Sequence, residues 1–358
     1  MYEVTIAIPL YNAEKYIEKT LESALSQTFE SIEFLIIDDS GTDRSMDIVE
    51  SVKSSGKRGS DIRIFKNPKN LGIGASRNVA IKEARGRFLF FLDSDDIMTT
   101  DCIKVLYASA IDCHADVTIA SYKKIYDDGR EILTMRLPLR SGCLEDEFAG
   151  LFYGTLQHFK ISNWNVLFDL DFLRGTHISY KSDLGEDIIF WSDFIPLVKS
   201  FSLLPDITYY YVIRAESLSH YNSREVIPVS EINAQLFVRK CMKEKMTTLR
   251  GKPYFYDMCL CLSRYFYSSA FFFVANFKKI TPPMQVSDLK DLLAIPISGN
   301  DIMNMRHGKK FMVFYRVVSK LPDRLLVCVL WLSYKFYTVL LPDLKLIVNP
   351  KKNKNNNE

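Results

Sequence analysis

Several signals of common protein classes are missing from this 358-residue chain. No GxGxxG segment follows the first predicted strand, which argues against a dinucleotide-binding dehydrogenase, and no GxxxxGK[ST] phosphate-binding loop occurs. The opening residues, MYEVTIAIPL, contain no basic segment followed by a long apolar run, so we expect no secretory signal. With 47 % hydrophobic and 25 % charged residues, the composition is typical of a globular protein and argues against a disordered one.

Cysteines are few and follow no metal-binding or disulfide pattern. The chain has seven, an odd number at scattered positions, and Cys259 and Cys261 are too isolated to form a zinc site. We therefore expect reduced thiols in a cytosolic setting.

Charge is unevenly distributed along the chain, although the net charge is only +3. Residues 301–358 contain 11 Lys and Arg against four Asp and Glu, so the rest of the chain is weakly acidic. This distribution argues against a nucleic-acid-binding protein with a broad basic face. It predicts instead a C-terminal segment that meets an anionic surface.

The first third of the sequence alternates predicted strands and helices. We expect strands at residues 4–9, 32–37, 62–65 and 88–92, with helices between them. Asn12 is the predicted N-cap of the first helix, which carries Ile17 and Leu21 on one face. This alternation predicts a parallel sheet with helices on both faces.

The middle and end of the sequence follow other patterns. Residues 116–121 and 130–137 flank a turn sequence and predict a hairpin. We expect a helix at 144–155, irregular structure over 163–187, and a strand at 206–214. From about residue 224 the pattern is helical and aromatic, and the polar tail KKNKNNNE is expected to be disordered.

Acidic residues follow two of the predicted strands, at the edge of a parallel sheet where ligands usually bind. The pair Asp93 and Asp95 is a candidate site for a divalent metal and a diphosphate, or else a cluster that caps the next helix. Asp39 could accept hydrogen bonds from a ribose or a base while Tyr11 stacks on that base. Alternatively, Asp39 caps the helix that follows it.

Four separated motifs, in order, resemble family 2 glycosyltransferases over roughly residues 1–220. They are IAIPLYNAEKYIEKTLESALSQTFESIEFLIIDDSGTDRS, NPKNLGIGASRNVAIKEARGRFLFFLDSDD, NWNVLFDLDFL and GEDIIF. The resemblance implies a GT-A fold, which is an α/β, Rossmann-like, mostly parallel sheet with helices on both faces, here with a helical C-terminal extension. The expected domains are a catalytic domain at 1–220 (nucleotide-binding half 1–115, acceptor-binding half 116–220), a helical aromatic-rich region at 221–348 and a disordered tail at 349–358.

The resemblance also implies roles for individual residues in binding the donor. The nucleotide-sugar site would comprise Pro9, Tyr11, Asn12, Asp38, Asp39, Arg77, Asn78, Asp93 and Ser94. A divalent metal, Mn²⁺ or Mg²⁺, would be bound by Asp95, with Asp93 and His220 as further candidate ligands. A lone histidine such as His220 can equally be structural.

The pair Glu186 and Asp187 matches the position of the family's catalytic base. Inverting transfer needs a carboxylate that removes a proton from the acceptor hydroxyl as it attacks the anomeric carbon. Asp187 is the expected base, and Glu186 would orient it or hold a sugar; the alternative is an acidic pair that satisfies a helix dipole. The resemblance places Trp164 and Asn165 on the acceptor side, where the indole would stack on a sugar unless Trp164 belongs to the core.

Residues 325–341 form an apolar stretch of about 17 residues interrupted by Lys335. This length is at the lower limit for spanning a bilayer, and the flanking basic and aromatic residues suit a helix that lies in the membrane interface. The alternative is a helix buried against the catalytic domain or a second copy. The triplet at 271–273, FFF, raises the same question.

These observations predict an inverting, metal-dependent glycosyltransferase that moves a hexose or N-acetylhexosamine from a UDP-sugar to a saccharide or lipid-linked acceptor in surface polysaccharide or glycan synthesis. We expect it in the cytoplasm, peripheral on the inner face of the membrane, with homo-oligomerisation as an option and no nucleic-acid partner. The alternative is a catalytically inactive sugar-nucleotide-binding or scaffold protein of the same fold. A nucleotidyltransferase would need a basic, glycine-rich loop after the first strand, and residues 10–15, LYNAEK, do not supply it.

Overall fold

The computed structural model describes residues 2–55, 58–126, 129–155, 162–181, 184–213 and 224–336. The chain divides into two compact units, residues 1–220 and residues 221–358. The first unit is built on a ten-stranded sheet and the second is mainly helical.

The first unit opens with four parallel strands, as the alternating pattern predicts. Their order across the sheet is β3-β2-β1-β4, with a helix between each strand and the next along the chain. The elements are β1 (Val4–Leu10), α1 (Ile17–Leu25), β2 (Ile32–Asp38), α2 (Ser45–Ser55), β3 (Ile62–Lys66), α3 (Ile73–Glu83) and β4 (Phe88–Phe91).

The two central strands of this half, β1 and β2, are buried along their whole length. This is the expected result for apolar runs in a parallel sheet that is covered on both faces. β2 also includes two buried carboxylates, Glu33 in its interior and Asp38 at its end. Glu33 accepts hydrogen bonds from the Thr5 hydroxyl at 2.7 Å and from Arg63 Nε at 2.8 Å, so its charge is neutralised where it lies.

The rest of the sheet is mixed and continues from β4 in the order β9-β6-β10-β5. β9 is antiparallel to both β4 and β6, β6 is parallel to β10, and β6 forms the predicted hairpin with β7. The predicted α/β class is therefore confirmed. The elements are β5 (Ile97–Met98), α4 (Cys102–Asp112), β6 (Val117–Tyr126), β7 (Glu131–Met135), β8 (Arg140–Gly142), α5 (Glu147–Gly154), β9 (Val166–Asp169), α6 (Leu170–Gly175), α7 (Glu186–Phe194) and β10 (Phe201–Ile213).

Two local predictions were wrong. The segment 163–187 contains β9 and α6 and was expected to be irregular; a four-residue strand is too short to show alternation, and pairing with two neighbours stabilises it. Asn12 does not cap α1, which begins at Ile17. Asn12 has a positive φ of 49°, and its side-chain oxygen accepts a hydrogen bond from the Thr42 amide of the neighbouring loop at 2.8 Å.

The second unit is arranged around the long helix α9, which packs against α8, α10, α12 and α13. Its elements are β11 (Ile227–Pro228), α8 (Val229–Thr248), α9 (Phe255–Asn276), β12 (Ile280–Thr281), α10 (Val286–Leu293), α11 (Gly299–Asn304), α12 (Lys309–Val318) and α13 (Asp323–Lys335). The aromatic triplet at 271–273, for which the sequence left membrane contact open, lies within α9.

Among the described residues, one helical stretch, Phe255–Lys279, is long and apolar enough to cross a membrane by length and composition. Of its most apolar 18-residue window, 56 % is buried inside the protein, and a core helix also has this property. The apolar stretch predicted at 325–341 overlaps α13. Residues 337–341 of that stretch, and the tail at 349–358, lie outside the described residues.

A close backbone contact at Gly86 generates a stability prediction. A Cβ atom at this position would lie 2.5 Å from the Thr5 amide nitrogen of β1 and 2.6 Å from the Val4 carbonyl carbon. We expect Gly86→Ala to lower the free energy of unfolding by about 2 kcal/mol, because the backbone of β1 would have to shift. Urea denaturation followed by circular dichroism measures this change.

The matched control is Gly150→Ala, in the middle of α5, where a Cβ atom would have no neighbour within 4 Å. That substitution should be neutral or stabilising by up to about 1 kcal/mol, since alanine favours helix more than glycine. Equal destabilisation by both variants would show that the close approach of Gly86 to β1 does not matter.

Candidate active site

A buried arginine connects the loop after β4 to the start of α7. Arg77 of α3 donates from Nη2 to Asp93 Oδ1 at 2.9 Å and from Nη1 to Glu186 Oε1 at 2.5 Å. The Arg77 side chain is only 4 % exposed. We call this set of three residues the arginine clamp. It brings together three residues that the sequence assigned to donor binding and catalysis.

The charges in the arginine clamp depend on one another. Burial alone lowers the pKa of Arg77, but the carboxylates of Asp93 and Glu186 raise it, so the guanidinium stays protonated. Arg77 Nε is buried and has no hydrogen-bond partner among the described residues. The guanidinium lies 5.8 Å from the ring centroid of Tyr180, within cation–π range.

Glu186 lies in the first turn of α7, which follows Gly185 at a positive φ of 72°. Burial raises the pKa of Glu186 to about 7; Arg77 acts in the opposite direction, and the charge of Asp187 raises the pKa further. The group is therefore held between its two protonation states near neutral pH, as in many sites that handle protons.

Asp187, the predicted base, is next to Glu186 in the same helical turn. Its Oδ1 accepts a hydrogen bond from the Ile188 amide at 2.8 Å. Its charge contributes to the pKa values of both Arg77 and Glu186, which places it in the same electrostatic cluster as the arginine clamp. The structure thus puts the acid pair beside the loop that carries Asp93.

The segment before α7 is held by Asn78. Its amide nitrogen donates to the Tyr180 carbonyl at 2.9 Å, and its amide oxygen accepts from the Tyr180 amide at 2.8 Å. The Tyr180 ring stacks on Phe190 of α7 at 4.5 Å. The buried Tyr180 hydroxyl has no hydrogen-bond partner among the described residues, and burial raises its pKa. Asn78 therefore positions the start of α7.

The loop after β4 contains three carboxylates with different environments. Asp96 is buried, and it accepts hydrogen bonds from the Tyr209 hydroxyl and the Val212 amide, both at 2.9 Å. Burial and then the charges of Asp95 and Asp93 raise the pKa of Asp96, so the three groups lie close together. Asp96 thus anchors the loop to β10.

The remaining two carboxylates of this loop fit a divalent metal by their chemistry. Asp93 and Asp95 offer hard oxygen donors, and Mg²⁺ or Mn²⁺ is commonly bound by one or two carboxylates together with substrate phosphates. Within the described ranges, no group of three or more His, Cys, Asp or Glu side chains is arranged to hold an ion. A metal here would therefore complete its coordination with water and the substrate. His220, the other predicted ligand, lies outside the described residues.

The nucleotide side of the predicted site is built around Asp39, at the end of β2. Its Oδ1 accepts from Asn67 Nδ2 at 2.7 Å and from the Leu71 amide at 2.9 Å, and its Oδ2 accepts from the Gly72 amide at 2.9 Å. Asp39 thus shapes the loop that leads into α3. Asn67 was missed by sequence reasoning, although a polar residue directly after β3, at the same sheet edge as Asp39, could have identified it.

The other residues of this side lie around the ends of β1 and β2. Asp38 Oδ1 accepts from the Ser40 amide at 2.9 Å, and the buried Pro9 is paired with Ile37 in the sheet. Tyr11 is 47 % exposed, so its ring is accessible to a ligand. Ser94 contributes its carbonyl as an acceptor for the Thr20 hydroxyl at 3.1 Å.

The two predicted acceptor-side residues are buried. Trp164 stacks on Tyr209 at 4.7 Å and on Tyr211 at 5.4 Å. Asn165 donates from Nδ2 to the Ala120 carbonyl at 2.8 Å and accepts from the Thr208 hydroxyl at 2.6 Å. These contacts are those of core residues, and stacking of Trp164 on an acceptor sugar stays a prediction.

Comparison with known proteins identifies the first unit. Residues 5–176 match the model of the family described as glycosyl transferase family 2. The chain carries a family 2 glycosyltransferase domain. The predicted family is therefore confirmed. The matched residues include Asp39, Arg77 and Asp93, whereas Glu186 lies after them.

Individual relatives of this glycosyltransferase domain come from several bacteria. The chain is 30 % identical over 241 residues to the poly(ribitol-phosphate) beta-N-acetylglucosaminyltransferase TarS of Staphylococcus aureus, covering 64 % of this chain and 38 % of TarS. It is 45 % identical over 97 residues to the UDP-Glc:alpha-D-GlcNAc-diphosphoundecaprenol beta-1,3-glucosyltransferase WfaP of Escherichia coli, covering 27 % and 37 %. An uncharacterized glycosyltransferase of Haemophilus influenzae is 33 % identical and is matched over 50 % of its length. Each of these relatives is matched over half of its length or less.

The fold also matches solved structures. The crystal structure of S. aureus TarS 1–349 in complex with UDP-GlcNAc has a TM-score of 0.68 to this chain, at 21 % identity. The match covers 93 % of this chain and 91 % of that one, so it includes residues of both units. The predicted GT-A architecture with a helical C-terminal part is confirmed at the level of the fold.

The raised pKa of Glu186 generates a prediction for stability against pH. Because this pKa is about 7 in the folded protein and 4.5 is the ordinary value, the folded state binds more protons than the unfolded state between these values. The stability that protonated Glu186 contributes is complete at low pH and is lost as the pH rises through about 7. From about pH 5 to about pH 8, wild type should therefore lose stability that Glu186→Gln does not lose. The difference between their free energies of unfolding should shift in favour of the variant by at most about 3 kcal/mol.

Urea denaturation at the two pH values measures this difference. The control is Glu18→Gln, which removes an exposed carboxylate from α1. A change of the same size in both variants would contradict the assignment of the effect to burial of Glu186 in the arginine clamp.

Proposed function

We propose that this protein is an inverting, metal-dependent hexosyltransferase. It moves a hexose or N-acetylhexosamine from a UDP-sugar to a saccharide or lipid-linked acceptor in the synthesis of a surface polysaccharide or other glycan. The observation that carries the proposal is the arginine clamp. It joins the loop with the Asp93 and Asp95 pair to the start of the helix that contributes the predicted base, Asp187.

The donor side follows from the sheet edge around Asp39. A carboxylate has about four acceptor positions, and three donors occupy positions on Asp39, so one position is left for an N–H of a base or a hydroxyl of a ribose. The exposed ring of Tyr11 supplies a stacking surface. Asn12, Asp38 and Ser94 shape the surrounding loops through their hydrogen bonds, and Pro9 lies beside them near the end of β1.

The identity of the nucleotide rests on relatives. WfaP is named for UDP-Glc, and the matching structure of TarS is a complex with UDP-GlcNAc. We infer a UDP-linked donor for this chain as well. Both sugars belong to the class that we propose, a hexose or its N-acetylated form.

The chemistry of transfer is assigned to the first turn of α7. Asp187 accepts the proton of the acceptor hydroxyl as that oxygen attacks the anomeric carbon, and the bond to the UDP leaving group breaks. The reacting carbon passes through a state with oxocarbenium character. Glu186 and Arg77 hold Asp187 in place relative to Asp93, and Asn78 fixes the segment before the helix.

A divalent metal, when bound by Asp95 and Asp93, would stabilise the negative charge that develops on the leaving diphosphate. The chain's own contribution is to keep Asp93 in position. Arg77 does this from one side through its 2.9 Å contact, and the Asp96 anchor does so from the other end of the loop.

The acceptor and the cellular location belong to the same proposal. A lipid-linked acceptor requires the enzyme to work at a membrane surface. The basic C-terminal segment and the exposed apolar residues of α12 and α13 support peripheral contact at the inner face, with the catalytic domain in the cytoplasm.

Two substitutions separate binding of the donor from catalysis. Asp187→Asn should reduce the release of UDP in the presence of acceptor by at least about 10²-fold, because the proton acceptor is lost, while UDP still binds. Asp95→Ala should abolish both the transfer and the manganese-dependent binding of UDP. Transfer is measured by coupled detection of UDP, and binding by calorimetry with and without Mn²⁺.

The control is Asp171→Asn, which removes an exposed carboxylate from α6 and should leave both measurements unchanged. Full transfer by Asp187→Asn would remove this residue from the mechanism. Binding of UDP without any turnover of UDP-sugars by the wild-type protein would favour the inactive sugar-nucleotide-binding alternative.

The donor is identified by a panel of sugar nucleotides. We expect UDP release from UDP-Glc, UDP-Gal or one of their N-acetyl forms, and no comparable turnover of GDP- or dTDP-linked sugars. Asp39→Asn should reduce turnover of the preferred donor more than Asp38→Asn does. Faster turnover of a GDP-sugar than of any UDP-sugar would contradict the assignment of the nucleotide.

A further inference from the structure

A groove in the second unit combines a basic rim with apolar walls. It has a volume of about 640 Å³ and lies between the end of α9 and the outer side of α13. This volume is in the range of sites that hold small organic ligands. We call it the basic groove, and its lining residues all lie within the second unit.

The rim of the basic groove carries three cationic side chains. Lys278 and Lys279 follow the end of α9, and Arg324 lies in the first turn of α13. Lys278 and Arg324 are exposed, and neither forms an ion pair with a carboxylate in the part of the chain that the structure describes. Their charge is therefore available to an anion from outside.

The walls of the basic groove are apolar. Phe277 and Val327 are partly buried in the lining, and Trp331 is 46 % exposed beside them. Trp331 also lies under the ammonium group of Lys335, at 5.5 Å from the ring centroid. A free inorganic anion would use only the rim, whereas a molecule with a phosphate head and a hydrocarbon chain would use both the rim and the walls.

The exposed side of α13 continues the same chemistry along the helix. At 100° per residue, the basic residues Arg324 and Lys335 share one side with large apolar residues, and the buried Leu326 and Leu330 lie on the other. The exposed apolar residues of this side are Leu325, Trp331, Leu332 and Phe336. A helix with basic and apolar residues together on its outer side is suited to the interface of an anionic bilayer.

We propose that the basic groove binds the head group of an anionic, phosphate-headed lipid while the exposed side of α13 enters the interface of the bilayer. The charge complementarity of the rim and the apolar walls together select this occupant. The inference deepens the membrane contact of the proposed function, and it identifies the site and the chemical class of lipid through which that contact is made.

Tryptophan fluorescence of the full chain tests the proposal directly. The chain has three tryptophans, and Trp164 and Trp191 are buried, so a change in emission on contact with vesicles reports on Trp331. With vesicles of phosphatidylcholine and phosphatidylglycerol, we expect a blue shift, together with quenching by lipids that are brominated in the acyl chain. Trp331→Phe should abolish both signals.

Charge variants test whether the basic groove itself is responsible. Lys278→Gln combined with Arg324→Gln should weaken partitioning to the anionic vesicles by about thirtyfold. Each lysine or arginine near an anionic surface strengthens binding by about fivefold, and the double variant removes two of them. The matched control is Lys240→Gln with Arg306→Gln, which removes the same charges from exposed positions outside the groove. Equal weakening by both pairs would overturn the proposal in favour of general charge attraction.

Three other results would also overturn it. These are no response of Trp331 to anionic vesicles, an equal response to glycerol 3-phosphate without vesicles, and a dimer in sedimentation analysis that Trp331→Ser dissociates. Turnover of UDP-sugars in solution is measured on the same samples. The vesicle measurement needs no donor, so the two proposals can fail separately. Absence of lipid binding with normal turnover would refute only the proposed lipid site. Normal lipid binding without turnover would refute only the proposed transferase activity.

Discussion

The guanidinium of Arg77 is the interaction on which the candidate site depends. It contacts Asp93 in the loop after β4 and Glu186 at the start of α7. Glu186 is 109 residues away from Arg77 in the sequence. A buried cation costs free energy unless opposite charges compensate it, and here the carboxylate of Asp93 and the ionised fraction of Glu186 do so. The same requirement works in reverse, because each carboxylate needs the cation. The loop after β4 and the start of α7 are therefore held at a fixed separation.

The rest of the site follows the same principle of loops held by buried polar contacts. Asp39 binds the loop before α3 through Asn67 and two backbone amides, and Asp96 binds the loop after β4 to β10. These carboxylates do not point freely into solvent. They shape the backbone around the sheet edge, so that the exposed ring of Tyr11 and the loop that carries Asp95 are presented from a rigid frame.

The second unit separates two kinds of apolar surface. The helix α9 buries most of its apolar residues by packing within the unit. Its length and composition would suit a membrane span, but a core helix has the same length and composition. In α13, by contrast, only Leu326 and Leu330 are buried, and larger apolar residues remain outside with basic neighbours. Hydropathy ranks α9 first, but exposure makes α13 the better candidate for contact with a bilayer.

The sequence by itself determined the parallel half of the sheet, since the apolar runs of β1 and β2 and the acidic ends of β2 and β4 are local patterns. It also determined the family, because four motifs occur in order. It could not determine that β9 enters the sheet between β4 and β6, or that Trp164 and Asn165 are buried. Only the tertiary structure decided that Arg77 and Asn78 hold the start of α7, because these contacts join residues about 100 positions apart. Such contacts are fixed by how the layers pack, and no periodicity in the chain records them.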